Sequence, residues 1–544
     1  MQVVIPMSGA GSRFARAGYP DPKPLIPVDG RPMIEHVIRM FPGVTDFIFV
    51  CSRRHLETTA LESVLRRNAP TCRIVPIEPH KLGPVYATLQ AESLISDNEP
   101  VIVNYCDFAV GWNFADFCRR MEELRPSGAL TAYRGFHPHT LGPNLYAYTR
   151  HENNWLLEIQ EKTCFTDNRM NEFASSGTYY FSSGAMLRRY YHAALTHGLS
   201  TNGEYYASMP YNLMVADGEP VYIYELQKFL QWGTPEDLEE YQKWSDYFAR
   251  SANWSPRMAM RRGSVLIPMA GDGARFAREG YREPKPLVPV AGVPMIDRVL
   301  QTLPQASRTV AVCRAEHLHE PDLEVVLRGS GREPHLISLD CRTEGQACTC
   351  LLAEGAVSAN DPVLVSPCDS SLIYDENAFA GLVAGDADCI AFTFRNHPHA
   401  NRNPHQYGWV QTAPHSDLVE SVRCKQVPDS PVPEARGITG MFWFREARVM
   451  STAIRQLMAR NERINGEYYL DSVLAVLIDA GYRTRALDVE HYVCYGTPDD
   501  VRTFEYWEDW FRQNANHAFA EPEREEERRN DFDQAALVDC VAML

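Results

Sequence analysis

The sequence predicts an α/β protein built from two tandem domains with mixed, mostly parallel sheets. Three observations predict it. Residues 5 to 34 and 267 to 296 match at 21 of 30 positions. Beyond them, Gly9 and Gly271, Lys23 and Lys285, Gly83 and Gly345, and Asp107 and Asp369 all lie 262 residues apart, while Lys162 and Lys425, Gly177 and Gly440, Glu204 and Glu467, and Gly233 and Gly496 lie 263 apart. Each copy also opens on an apolar run, a Gly-containing loop and a helical pattern, which is the first unit of a parallel sheet. A period this long excludes solenoids and propellers, whose units run roughly 20–50 residues, and it gives each copy enough chain to bury its own core.

In chain order, Val3, Val4 and Ile5 (Val265, Leu266 and Ile267 in copy two) form the opening strand, and Gly9 to Phe14 the loop. The runs DFIFVC and TVAVC, then PVIVNYCD and PVLVSPCD, read as further strands, and the last two end on Asp107 and Asp369. Open α/β sheets place their ligands at the carboxyl ends of such strands. Helical spacing of the aromatics in YQKWSDYF and FEYWEDWF reads as packing against each domain. The domains are expected at 1–247 and 263–512, with 248–262 as linker and 513–544 as a charged tail whose last ten residues are apolar.

A formal charge of −17 disfavours nucleic acid or an anionic membrane as the main partner. A phosphate ligand must then be held by local donors. The fourteen cysteines show no zinc-type pairs, so reduced thiols in a cytoplasmic protein are the expectation. No leader-like or spanning apolar run is present in the sequence.

Glycines at 9 and 11 let a backbone approach a phosphate closely, successive N–H groups form an anion nest, and Arg13 and Lys23 add a planar fork and a point charge. The string IPM(S/A)GxG(S/A)RF followed by GYxxPKPLxPVxGxPMI resembles the signature of the sugar-1-phosphate nucleotidyltransferases, or nucleotide-sugar pyrophosphorylases, and is nearest to capsule and surface-polysaccharide types that carry strings like NYCDF and NGEYY. The resemblance covers nearly all of both copies. It implies a Rossmann-like fold related to the GT-A sheet, and magnesium-dependent transfer from a nucleoside triphosphate to a sugar 1-phosphate or similar phosphorylated small molecule, with release of pyrophosphate.

Carried over residue by residue, it gives the triphosphate to Gly9, Gly11, Ser12 and Arg13, and to Gly271, Gly273 and Arg275. Lys23 and Lys285 face the reacting phosphates, Gly83, Gly345 and Gln346 the nucleobase, and Asp107 and Asp369 the metal. Lys162 and Lys425 hold the sugar phosphate; Gly177, Glu204, Gly440 and Glu467 meet the sugar. These residue types suit the reaction, because an ionised phosphate nucleophile needs positioning and charge neutralisation more than a general base.

Four features depart from the pattern or stand outside it. The family's aspartate before the late Gly-Thr is replaced by Trp232 and Tyr495, and Asp471 is a substitute ligand in copy two only, since copy one has Ser208 there. Copy two carries Asp272 in its loop and Cys424 where copy one has Glu161. The paired His137-Pro138-His139 and His397-Pro398-His399 strings read as turns or sugar contacts rather than metal ligands. The mismatches between copies, NYCDF against SPCDS among them, point to two sites with different substrates. The alternatives are a binding or scaffold protein with one or both copies non-catalytic, and a GT-A glycosyltransferase, whose DxD motif is missing. A homo-oligomer is compatible with all three.

Overall fold

The computed structural model describes residues 1–318, 321–514 and 517–520. Residues up to Ser245 form one compact unit and those from Asp246 on a second. In unit one, the sheet runs in the order Arg73–Ile77, Phe47–Ser52, Gln2–Met7, Val101–Asn104, Phe173–Phe181, Gly128–Tyr133, Val221–Glu225, Trp155–Glu161, Ala147–Glu152. The first four strands are mutually parallel, and Phe173–Phe181 and Trp155–Glu161 run against their neighbours. The fold is thus a mixed α/β sheet whose first four strands are parallel.

Unit two repeats the order with Pro334–Leu339, Gln305–Arg314, Ala259–Met269, Val363–Val365, Arg436–Phe444, Cys389–Phe394 and Thr484–Asp488. Val3, Val4 and Ile5, and Val265, Leu266 and Ile267, are fully buried at the centre of the two sheets. This is the burial expected of a continuous apolar run covered on both faces.

The span 248–262 is largely structured. The helix Pro235–Ser251 runs into it, and the strand Ala259–Met269 starts before its end. Buried Phe248, the last residue of YQKWSDYF, meets the rings of Phe504 and Phe511 at 5.4 and 5.6 Å. Of the tail, the helix Pro498–Gln513 ends where it begins, and 521–544 lie outside the described residues. Among the described residues no helix is long and apolar enough to cross a membrane.

The His-Pro-His strings read as turns are short helical turns, Pro138–Leu141 and Pro398–Arg402, and their histidines have partners within the fold; His399 pairs with Asp500 at 3.0 Å. His137 is buried against Tyr133, at 4.5 Å between rings, and His139 shares a hydrogen bond of 2.8 Å with the Tyr133 hydroxyl. Burial lowers the His137 pKa to about 4. The unfolded chain, titrating near 6.5, binds a proton first, so stability present above that value drains away as pH falls toward the folded value. Between pH 7 and 5 the loss from this residue is roughly 2 kcal/mol. Urea unfolding at the two pH values checks it: His137→Phe is expected to lose less stability on acidification than the parent, and an equal loss would remove His137 as the cause.

Candidate active sites at the carboxyl ends of the strands

Each central strand releases its aspartate just past the sheet edge. Val101–Asn104 leads to Asp107 and Val363–Val365 to Asp369, and the next strands, Phe108–Gly111 and Ser370–Ile373, pair antiparallel with Lys228–Gln231 and His491–Cys494. That pairing brings the late Gly-Thr loop home: Trp232 donates its backbone N–H to the Asp107 carbonyl at 3.0 Å, and Tyr495 to that of Asp369 at 2.7 Å. Gly233 and Gly496 then lie directly against the two carboxylates.

From the opposite side the PKPL turn delivers lysine. Lys23 Nζ donates to Asp107 Oδ2 at 2.5 Å and to the Gly233 carbonyl at 3.0 Å, and Lys285 Nζ donates to Asp369 Oδ2. Both lysines are largely buried, with side chains 18% and 19% exposed. A half-buried cation with one carboxylate partner is a local donor of the kind an acidic protein needs to hold phosphate. The Gly loops stand beside the lysines: Gly11 and Gly273 cap the short helices Ser12–Arg16 and Ala274–Arg278 with φ of 58° and 60°. Ser12, Arg13 and Arg275 are exposed, and neither arginine holds an ion pair among the described residues.

The base-loop glycines couple two loops. A Cβ on Gly83, where φ is 86°, would sit 2.8 Å from the backbone N and O of Tyr205; on Gly345, with φ 125°, it would sit 2.6 and 2.5 Å from those of Tyr468. Tyr205 donates to the Leu82 carbonyl at 2.9 Å and accepts from Val85 N–H at 3.1 Å; Tyr468 repeats this with Glu344 and Ala347 at 2.8 and 3.1 Å. The loop assigned to the base is therefore stitched to the loop that carries Glu204 or Glu467. Tyr105 adds a further tie, donating its N–H to the Gly177 carbonyl at 3.1 Å while its hydroxyl accepts from Ala207 N–H at 3.3 Å.

Lys162 and Lys425 end their strands in left-handed backbone, with φ of 59° and 55°. Non-glycine residues are held there only where the surroundings over-determine them, commonly at functional sites. The two departures next to these lysines are one exchange. In copy one Ser208 Oγ donates to the Glu161 carboxylate; in copy two Cys424 Sγ stands 3.9 Å from Asp471 Oδ2. The carboxylate beside the lysine comes from the strand in one copy and from the following helix in the other, and burial raises the pKa of both acids. Asp471 is therefore accounted for beside Lys425, and is not a lining residue of the cleft that holds Asp369.

In copy two, Gly271, Lys285, Gly345, Gln346, Asp369 and Glu467 line one cleft of about 230 Å³. Gly273, Arg275, Lys425 and Gly440 are not among its lining. Across its mouth runs a charge chain: Arg314 pairs with Asp272, Arg342 with Asp272 at 3.3 Å, and Arg342 with Glu467 at 2.5 Å. The acid in the Gly loop is thus neutralised by two guanidinium groups. Copy one has Ala10, Ser52 and His80 at the corresponding positions; His80 instead contacts Ser8 Oγ at 3.3 Å and the Tyr86 ring at 4.8 Å.

The MobA-like NTP transferase domain matches residues 3–160 and 265–438, more than half of the chain and the part of each unit that holds the Gly loop, the lysine and the aspartate. The chain belongs to this family. As an NTP transferase it is an enzyme of the nucleotidyl-transfer class. Over 108 residues it is 32% identical to the bifunctional protein GlmU of Cupriavidus necator, and likewise to that of Cupriavidus taiwanensis, covering 20% of this chain. The chain spans 22% of the length of these curated relatives. Among solved structures it is similar to the nucleoside-diphosphate-sugar pyrophosphorylase of Vibrio cholerae, at 19% identity over 44% of this chain and 99% of that one, with a TM-score of 0.38. The inositol-1-phosphate CTP transferase of T. maritima follows at 16% identity over 48% and 99%, with a TM-score of 0.37.

The NTP transferase units differ from the expected metal pattern in a way the packing explains. Trp232 and Tyr495 point inward, each 1% exposed, with Trp232 5.4 Å from the Tyr241 ring and Tyr495 at the same distance from Phe504. No cluster of three metal-ligating side chains occurs among the described residues. What remains is one carboxylate per copy, with its Oδ2 on lysine, and Asp369 lines the cleft of copy two. That donor set fits magnesium, which keeps its waters and takes one or two carboxylates together with substrate phosphates.

Proposed function

We propose that the protein transfers a nucleotidyl group from a nucleoside triphosphate to a sugar 1-phosphate or similar phosphorylated small molecule, releasing pyrophosphate, and that its two copies take different substrates to make activated precursors of a surface polysaccharide. The observation that carries the reading is the Lys23–Asp107 and Lys285–Asp369 pairs, each set beside a Gly loop at a central strand end. Asp107 and Asp369 would hold Mg²⁺ together with the phosphates, and the ion would neutralise the charge that develops there. Lys23 and Lys285 orient and neutralise the reacting phosphates; Lys162 and Lys425 bring the acceptor phosphate in line. The acceptor oxygen is already ionised near neutral pH, so the chain needs no strong base. The domain limits 1–247 and 263–512, and the site roles assigned to the residues above, belong to this reading.

Different substrates are supported by the contrast at the base loop. Copy one presents His80 on Ser8 and Tyr86, copy two Arg342 between Asp272 and Glu467. An imidazole can donate or accept; a guanidinium only donates. Exchanging the two residues, His80→Arg and Arg342→His, is expected to move the ranking of the four triphosphates in each copy by tenfold or more in kcat/KM. Unchanged rankings would place base choice elsewhere.

The direct test is pyrophosphate release from each triphosphate against a panel of hexose 1-phosphates, pentose phosphates and polyol phosphates, with magnesium and with a chelator. If no pair releases pyrophosphate while nucleotide sugars still bind, the binding or scaffold alternative replaces the enzyme.

A further inference from the structure

The second tyrosine of each NGEYY and NGEYYL string is not assigned a role by anything above. In copy one its hydroxyl stands between the two groups assigned to the acceptor: Lys162 Nζ donates to Tyr206 Oη at 3.0 Å, and Tyr206 donates to Glu204 at 2.5 Å. We propose that Tyr206, and Tyr469 in copy two, are positioning residues that hold the acceptor lysine and the acceptor acid at a preset separation. The inference rests on the acceptor roles given to Lys162 and Glu204 under the proposed function.

The directions of these bonds are forced. A phenol has one proton, an ammonium has only donors and a carboxylate only acceptors, so Tyr206 must give its proton to Glu204 and receive Lys162 on a lone pair. The lysine is fixed at both ends. Its backbone N–H donates to the Tyr146 carbonyl at 2.8 Å from a left-handed conformation, and its ammonium ends on the hydroxyl and near the ring, 5.0 Å from the centroid. Burial, and then the Glu204 carboxylate, raise the pKa of the phenol and keep it protonated, so the two bonds stand throughout the neutral range.

Copy two uses the same parts with a looser joint. Lys425 N–H donates to the Tyr407 carbonyl at 3.0 Å, and its ammonium lies 5.2 Å from the Tyr469 ring centroid. That ammonium bonds the Gln406 carbonyl, while the Tyr469 hydroxyl serves Glu467. Removing the hydroxyl therefore cuts the lysine link in copy one only; in copy two the ring stays beside the ammonium.

The test uses the full chain with one copy silenced. In an Asp369→Ala background, Tyr206→Phe is expected to raise the acceptor KM about tenfold or more, the scale of one hydrogen bond to a charged group, and to leave the triphosphate KM within twofold. In an Asp107→Ala background, Tyr469→Phe is expected to have the smaller effect. A merely structural role would move both KM values together, and an acceptor KM unchanged by Tyr206→Phe overturns the proposal. A second readout needs no turnover: the rate of Lys162 acylation by acetic anhydride, read by mass spectrometry in the otherwise unaltered chain, is expected to rise several-fold in Tyr206→Phe, because the ammonium loses its partner. An unchanged rate also overturns the proposal. If acylation responds but no triphosphate and acceptor pair reacts, the proposed function fails and the positioning by tyrosine stands.

Discussion

Asp107→Ala and Asp369→Ala are each expected to cut pyrophosphate release at their own copy by 10²–10³, and the double variant to cut it by that factor at both. The magnitude is that of removing one preorganised electrostatic contact, on the order of 3–4 kcal/mol in the barrier. The loss has two parts. The carboxylate that would hold the metal is gone, and the lysine beside it is released: Lys23 keeps only the Gly233 carbonyl at 3.0 Å. A lysine freed from its carboxylate neutralises phosphate from an undefined position, and misplacement of this kind lowers rate rather than binding. Assayed with the substrates each copy prefers, the single variants separate the two activities. If one single variant removes all activity and the other none, the reading of two working sites fails.

Gly345→Ala is expected to destabilise unit two by about 3 kcal/mol, with Gly83→Ala doing the same in unit one. An alanine at φ 125° is strained by about 1–3 kcal/mol before any contact is considered. Its Cβ then meets the Tyr468 backbone at 2.5 Å, and backbone cannot rotate away as a side chain would. The two hydrogen bonds through Tyr468, to Glu344 and from Ala347, must open. Gly271→Ala is the control: a Cβ there meets nothing within 4 Å, so its melt should match the parent while the triphosphate KM rises if the phosphates approach that face. Thermal and urea unfolding of the three variants, with KM for the triphosphate, checks both halves. Equal stability of Gly345→Ala and Gly271→Ala would show that the loop absorbs the methyl.

Much of the fold is legible because the sequence states each signal twice. An apolar run followed by a Gly loop is weak on its own, but the same run at a constant offset, ending in Asp107 and Asp369, ties strand ends to polar residues and so to a ligand face. The lysine–aspartate pairs were readable as members of one site, though not as direct partners, since 84 residues separate them. What was not readable depends on where side chains point. Trp232 and Tyr495 looked like missing ligands, but the backbone alone joins their position to the aspartate and the rings face the core. Asp272 stands in the sequence as a departure without a visible counter-ion, because Arg314 at the end of the strand Gln305–Arg314 and Arg342 lie elsewhere in the chain. The helical spacing of YQKWSDYF places Phe248 on a packed face, but its partners on the helix Pro498–Gln513 lie too far along the chain for any local pattern to name them.

The carboxylate exchange beside Lys162 and Lys425 constrains how these copies can change. Glu161 with Ser208 and Cys424 with Asp471 are two settings of one pair, each with a single acid in a buried space. A move from one setting to the other by single substitutions must pass through a state with two buried acids or with none. Two like charges there would repel, and none would leave the lysine without its neighbouring counter-charge. The four residues are therefore coupled, and transplanting one between copies is expected to have an effect whose sign depends on whether its opposite number travels with it.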